Sequence, residues 1–225
     1  RLQVQGFLRV YDDFYVLFYH VFAFKPRVGA GLAIVQQGLN TGLRESEVIG
    51  LTWDCIDFDR ALIRVYRQFQ RVAKEFLWQP LKNNKPRVIP APSSLLDILK
   101  EQRRRQGEMK LKAGSLWSNP DNLVFTNETG RYLNYATIRN HFKRIVISLG
   151  SPQTRFHDLR HQYAITSLQA GIDIKTVQES LGHHTAAFTL DTYAHVTDGM
   201  RKDAAAKLDI AYKSLISGKR TRLIP

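Results

Sequence analysis

Apolar positions recur along this chain with two spacings, a helical one of about 3.6 residues and a strand one of about 2, and their order sketches the fold. Residues 1 to about 28 carry the aromatic run Phe14-Tyr-Val-Leu-Phe-Tyr-His-Val-Phe-Ala-Phe24, which predicts a helix stopped at Lys25-Pro26. Helical spacing resumes from about Ala30 to Gly38. Thr41-Gly-Leu-Arg-Glu-Ser-Glu47 then predicts a turn entering a helix through Ile49 and Leu51. Asp54 to Asp59 predicts a turn, and the alternation from Ala61 to Phe69 a strand. A second strand near Lys74 to Leu81 leads to the turn signal Asn83-Asn-Lys-Pro86, and Arg87-Val-Ile-Pro90 forms a third, short strand.

The second half reads as helices. Ser93 or Ser94 can cap one running to about Lys112. Leu123-Val-Phe125 predicts a short strand before the turn at Glu128-Thr-Gly130. Helices follow from about Tyr135 to Leu149, ending at Gly150, and from His157 to Ala170, stopping at Gly171. Shorter ones are expected near Asp173 to Leu181 and Thr185 to Thr197, and a final one from Gly199 to about Ile216. No internal repeat or low-complexity linker interrupts this order. The predicted class is mainly α with one small antiparallel β-sheet near the middle (α+β).

Composition narrows the partners. At 225 residues and 44% apolar content, the chain can bury one large core or two small ones. Lys and Arg number 33 against 20 Asp and Glu, a formal charge of +13, and such a balance favours a polyanion such as nucleic acid. Cys55 is the single cysteine, which excludes an intrachain disulfide framework and a cysteine-based zinc cluster and favours the cell interior. No stretch approaches the roughly eighteen apolar residues of a membrane span. No signal peptide is evident and the chain begins with Arg1, so an upstream part is expected to be missing.

Several strong bases stand at the ends of predicted elements. Arg44 enters a helix through a Gly-Leu-Arg turn, where its guanidinium can meet an anion. Taken alone it would be read as a surface arginine pairing with Glu45 or Glu47. His157 and Arg160 are three apart at a helix start and share a face, a proton carrier beside a phosphate clamp. His183 follows Leu181-Gly182 at a helix end, and Tyr193 stands ten residues on; a lone tyrosine there is ordinarily a packing residue. His157 and His161 have helical metal-ligand spacing, but His-Asp-Leu-Arg-His places an arginine between them, so no metal site is expected. Neither a Gly-x-Ser-x-Gly elbow nor a Gly-x-x-x-x-Gly-Lys phosphate loop is present.

In chain order, Thr41-Gly-Leu-Arg44-x-Ser-Glu, a lysine at a strand turn, His157-x-x-Arg160, Leu181-Gly-His183 and Tyr193 resemble the tyrosine recombinase (integrase) family. The segment Phe156 to Val196 is most similar to integrases of conjugative transposons and phages. The resemblance covers about residues 39–217, which it identifies as a catalytic domain. Residues 1–38 would be a poorly matching helical N-terminal part and 218–225 a basic tail. One or more upstream DNA-binding domains would be absent. The family lysine sits in a β-hairpin turn before an Arg-x-x-Pro strand; aligning Arg87-Val-Ile-Pro90 to that strand selects Lys82, with Lys85 as competitor.

The resemblance implies cleavage and rejoining of double-stranded DNA, for excision and integration of a mobile element such as a transposon. Tyr193 would attack the phosphodiester to give a 3′-phosphotyrosyl link and a free 5′-hydroxyl. Arg44, Arg160 and His183 would hold the phosphate, His157 would serve the tyrosine's proton, and Lys82 would protonate the leaving oxygen. The covalent link conserves the bond energy, so no cofactor is implied. It further implies a homotetramer on DNA that exchanges the C-terminal helix Gly199 to Ile216 between subunits, in a bacterial cytoplasm at the nucleoid. Arg103, Arg104, Lys143, Arg155 and Lys175 are candidate DNA contacts. A type IB topoisomerase and a non-cleaving DNA-binding regulator are the alternatives.

Overall fold

A computed structural model describes residues 30–73, 75–183, 208–210 and 212–213. Helix α1 (Ala30–Thr41) is its centre. Residues 31–39 are all buried, as expected for a helix apolar on every side. Around it pack α3 (Ser93–Ala113), α4 (Tyr135–Ser148) and α5 (Asp158–Gln169). The small helix α2 (Glu45–Ile49) follows α1 across the turn at Gly42. Helix α6 (Ile174–Leu181) closes onto α5 through Ala164, Ile165, Leu168, Val177 and Leu181. Local chemistry sets the helix starts: the Asn134 side chain accepts from the Ala136 N–H, and Asp173 from the Thr176 N–H.

The β residues form two sheets rather than the single one expected. Strands β1 (Ile56–Asp57), β2 (Leu62–Val65) and β5 (Arg87–Pro90) form an antiparallel sheet in the order β1-β2-β5. In it Ile63 faces Ile89 and Val65 faces Arg87. Strands β3 (Arg67–Val72) and β4 (Glu75–Pro80) make a separate hairpin. The strand expected from Ala61 to Phe69 therefore breaks at Tyr66 and changes partners. Ile63, Val65 and Phe69 keep the same parity across the break, so a period of two does not register it. Phe69, Phe76, Trp78, Tyr132 and Tyr135 pack ring to ring and pin the hairpin to the body, with Phe76 and Tyr132 centroids 4.5 Å apart.

Two further expectations change. Leu123–Phe125 is no strand; it makes only the bridge Thr52↔Leu123. The carbonyls of Leu123 and Val124 are taken by Gln106 and Gln102 of α3, at 2.8 and 3.0 Å, so its backbone is satisfied without a neighbouring strand. Helix α3 is capped by Pro92, with Ser93 already its first residue. Cys55 is buried against Thr52, a packing thiol as expected. The helices predicted over 1–28 and 185–197 lie outside the described residues; of the final one, 208–210 and 212–213 are described and helical. Among the described residues no helix is long and apolar enough to cross a membrane.

Candidate functional site

Three chain reversals meet where α2, α5 and α6 approach one another, and each carries a candidate side chain. The first is the turn after α1. Gly42 has φ +62°, and a Cβ there would fall 2.7 Å from both Leu181 and Tyr163. Only glycine makes the turn and lets α6 come this close. Two residues on, Arg44 is the N-cap of α2. Its backbone N–H donates to Glu47 Oε2 (2.9 Å) and its Nη1 to Glu47 Oε1 (3.0 Å). The side chain is 25% exposed. Its Nε and Nη2 make no hydrogen bond among the described residues, so one edge of the guanidinium is held and the other faces outward.

Glu47 itself is buried and carries more than Arg44. Arg87, the first residue of β5, reaches it with both terminal nitrogens, Nη1 to Oε1 at 3.1 Å and Nη2 to Oε2 at 2.6 Å. Burial alone would raise the Glu47 carboxyl, but the two arginines outweigh it and hold its pKa below the ordinary 4.5. A carboxylate so buried survives as an anion because four N–H donors surround it.

The second reversal begins α5. His157 is its N-cap and Arg160 lies one turn on, 3% exposed. Arg160 donates from Nη1 to the Gly42 carbonyl at 2.7 Å and from Nη2 to the Leu181 carbonyl. One guanidinium thus joins the turn before Arg44 to the turn before His183. The third reversal ends α6 at Gly182, with φ +63°. His183 follows, its N–H donating to the Gln178 carbonyl (3.1 Å) and its carbonyl accepting from Gln178 Nε2 (2.8 Å). The imidazole is half-buried. Burial, followed by Arg160, Arg44, His161 and His157, drives its pKa down to about 4. His157 and His161 stand edge to face at 5.1 Å, and both are lowered, chiefly by desolvation.

Arg44, His157, Arg160 and His183 therefore share one basic neighbourhood. The turn holding Lys82 and Lys85 reaches the same place, because Asn83 Nδ2 donates to the Gly182 carbonyl at 3.2 Å. Both lysines are exposed. This turn joins β4 of one sheet to β5 of the other, so it is not the hairpin turn expected. Tyr193 lies outside the described residues. Of the candidate DNA contacts, Arg155 adjoins His157 but pairs with Asp158 at 2.9 Å. Arg104 pairs with Glu101 and Glu108, Lys175 stands 3.8 Å from Glu179, Lys143 donates to the Pro152 carbonyl, and Arg103 lies over the Trp53 ring. These four sit on three separate helices.

Glu47 and Arg87 are residues of the candidate site to which sequence reading gave no role. Glu47 appeared only as the end of the Thr41-Gly-Leu-Arg44-x-Ser-Glu motif and as a surface partner for Arg44, and Arg87 only as a landmark for aligning Lys82. The available signal was an acidic residue three positions after a helix-capping arginine and an arginine opening a short strand.

The histidines set a pH dependence. Their imidazolium forms are disfavoured when folded, whereas in the unfolded chain they titrate near 6.5. Between pH 6.5 and about 4 the unfolded state binds more protons, so stability is complete above 6.5 and falls as pH drops through that window. Glu47 acts in the same direction, but only below its ordinary 4.5. The expected result is a calorimetric Tm that declines from pH 6.5 to 5, a decline that His183→Gln makes shallower. A Tm independent of pH over that interval would refute this account.

Comparison with known proteins adds three findings. Residues 30–200 match the model of the phage integrase family. A tyrosine recombinase XerC-like protein of Caldanaerobacter subterraneus is 36% identical over 189 residues, 79% of this chain and 48% of the relative. The ICEBs1 integrase of Bacillus subtilis is 29% identical, over 75% of this chain and 46% of its own length. The chain thus spans about half the length of the curated relatives it matches. Among solved structures, the Tn1549 transposon integrase in complex with transposon right end DNA superposes with TM-score 0.68 at 22% identity, covering 84% of this chain and 63% of that one. The catalytic domain of bacteriophage HP1 integrase does so with TM-score 0.52 at 23% identity, covering 87% and 90%.

Proposed function

The chain belongs to the phage integrase family of tyrosine recombinases, and from that membership we propose that it is the catalytic domain of a site-specific DNA recombinase working through a 3′-phosphotyrosyl intermediate. One observation carries the reading: Arg44, His157, Arg160 and His183, distant in sequence, converge on one basic corner whose arginines are braced from behind.

A phosphodiester repels an oxygen nucleophile, and its transition state gathers charge on the non-bridging oxygens. The outward edge of Arg44 offers paired N–H donors to one of them. Arg160, tied to two carbonyls, brings a fixed positive charge beside the other. His183, neutral at physiological pH, adds a donor without needing to be charged. Tyr193 supplies the nucleophile: its oxygen forms the new bond to phosphorus as the P–O5′ bond breaks. The phenolic proton passes towards His157, and Lys82 protonates the departing 5′-oxygen. A 5′-hydroxyl from a partner strand then attacks the phosphotyrosyl ester and releases the tyrosine. Each bond broken is replaced by one of the same kind, so the scheme consumes no ATP and requires no metal.

By the same reading the substrate is double-stranded DNA at the ends of a mobile element, the place of action is the bacterial cytoplasm, and the working form is a tetramer. The complex of the Tn1549 integrase with its transposon end supports the first of these. Leu208, Ile210 and Tyr212 are 54–66% exposed, which supports a C-terminal helix that docks onto a neighbouring subunit.

The test is covalent trapping. Nicked duplexes tiling the DNA that flanks the coding sequence are incubated with the full chain, and protein–DNA adducts are read on a denaturing gel; no adduct on any of them would overturn the reading. The lysine is assigned in the same assay. Lys82→Ala should slow cleavage about 10²–10⁴-fold. A sulfur in place of the 5′-bridging oxygen should restore the rate, because a thiolate (pKa about 8.5 when free) leaves without a proton. Lys85→Ala should cleave normally. The reverse pattern would transfer the role to Lys85.

A further inference from the structure

Arg87 takes no part in the chemistry above, yet all three of its guanidinium nitrogens are tied beneath the site. It is 6% exposed. Two of its nitrogens hold the Glu47 carboxylate, and its Nε donates to the Ser180 carbonyl at 2.7 Å. Ser180 stands just before Leu181, whose carbonyl Arg160 holds, and before Gly182 and His183. A Cβ on Gly182 would come within 3.3 Å of Arg87 Cδ and Nη1, so the glycine also provides the space in which this guanidinium lies. One side chain thus connects the carboxylate behind Arg44 to the turn that presents His183.

We propose that Arg87 is a positioning residue for phosphoryl transfer: it saturates Glu47 so that Arg44 keeps its outward edge for the scissile phosphate, and it holds the His183 turn in register with that edge. The proposal rests on the recombinase reading. With Arg87 in place, Arg44, Glu47 and Arg87 sum to one positive charge, and Glu47 engages Arg44 through a single side-chain nitrogen. Without Arg87, a buried carboxylate faces one cation only. Leaving such a charge half compensated is costly, and the relief available is for Arg44 to turn inward and chelate both oxygens. The Arg44–Glu47 pair is then neutral and the phosphate loses the donors of Arg44. A lysine at 87 would neutralise Glu47 but lacks the fork that serves Glu47 and Ser180 together.

The experiment compares the full chain with Arg87→Met and with Glu47→Gln/Arg87→Met. It measures DNA affinity, and single-turnover cleavage of a trapped duplex carrying either the native phosphodiester or a methylphosphonate at the scissile position. The methylphosphonate lacks the negative charge that Arg44 serves. The expected result for Arg87→Met is cleavage of the native duplex slowed about 10²-fold, the scale of one lost preorganised donor. Its DNA affinity should stay within twofold of wild type, or about 0.4 kcal/mol, and its penalty on the methylphosphonate should fall about tenfold. The double variant removes both buried charges, so it folds even if Arg87→Met does not, and with no carboxylate to capture Arg44 it should recover part of the native rate. An Arg87→Met penalty equal on both duplexes would overturn the proposal, because a general loosening of the fold does not distinguish them. So would a double variant no faster than the single one or, where the single one does not fold, a double variant whose penalty falls about tenfold on the methylphosphonate, because Arg44 would then fail the phosphate charge with no carboxylate present to capture it. Absence of any wild-type adduct would instead overturn the recombinase reading beneath it.

Discussion

Replacing Tyr193 with phenylalanine should abolish the covalent protein–DNA adduct, by at least about 10³-fold, while leaving DNA binding within twofold of wild type. The substitution removes one oxygen and keeps the ring, so whatever packing the residue provides is retained. Affinity for a duplex is dominated by neutralised phosphates, and the arginines that form the basic corner are untouched. The reaction, by contrast, has no substitute for the missing atom. A water molecule in its place would give strand hydrolysis, a free 3′-phosphate and no adduct, which a denaturing gel separates from transfer. An adduct of undiminished yield from the phenylalanine variant would place the nucleophile elsewhere. Parallel relaxation of supercoiled plasmid by monomers, with no strand exchange, would favour type IB topoisomerase chemistry over recombination.

The candidate residues that the fold brings together share a property: they sit in short motifs that also fix the local backbone. Gly42 must be glycine for the turn that delivers Arg44, Gly182 for the turn that delivers His183, and the His157–Arg160 spacing is one helical turn. Chemistry and geometry are encoded together in a few adjacent letters. The Glu47–Arg87 pair is different, because forty residues separate its members and neither position has a local requirement for its partner. Position 87 proves inward only in the structure, where it alternates with exposed Val88, and an inward arginine gives no sign of which carboxylate it meets. The division of the β residues into two sheets was hidden for a related reason: alternation records which face a residue takes, not which strand lies beside it. Leu123–Phe125 had the composition of a strand, but glutamines of α3 had already satisfied its carbonyls. Lys82 and Lys85 are hard to separate because both are exposed on one turn, anchored at Asn83, one of the two asparagines between them.

The two arginines of the site should differ in what substitution does to stability, although in the proposed mechanism both serve one phosphate. Arg44→Met should lower the cleavage rate about 10²–10³-fold with little effect on stability. Its only side-chain partner among the described residues is Glu47, which Arg87 still holds, and a partly exposed ion pair contributes roughly 0–1 kcal/mol. Arg160→Met should lower the rate at least as much and also destabilise the fold. Its guanidinium is buried, and substitution removes its hydrogen bonds to the Gly42 and Leu181 carbonyls, at about 1–3 kcal/mol each. A loss of about 2–6 kcal/mol corresponds to a Tm lower by on the order of 10 °C for a chain of this size. Because those carbonyls flank Gly42 and Gly182, the turns carrying Arg44 and His183 should drift apart in Arg160→Met. The pH dependence of its stability between 6.5 and 5 should weaken accordingly, since His183 loses the Arg160 charge, the largest contribution to its lowered pKa after burial. The methylphosphonate duplex separates the two cases: it should relieve most of the Arg44→Met defect, which is a loss of charge at the phosphate. It should relieve little of the Arg160→Met defect, which is also a loss of the frame. Equal relief for both variants, or an Arg160→Met protein as stable as wild type, would show that Arg160 acts on the phosphate alone and not as the tie between the two turns.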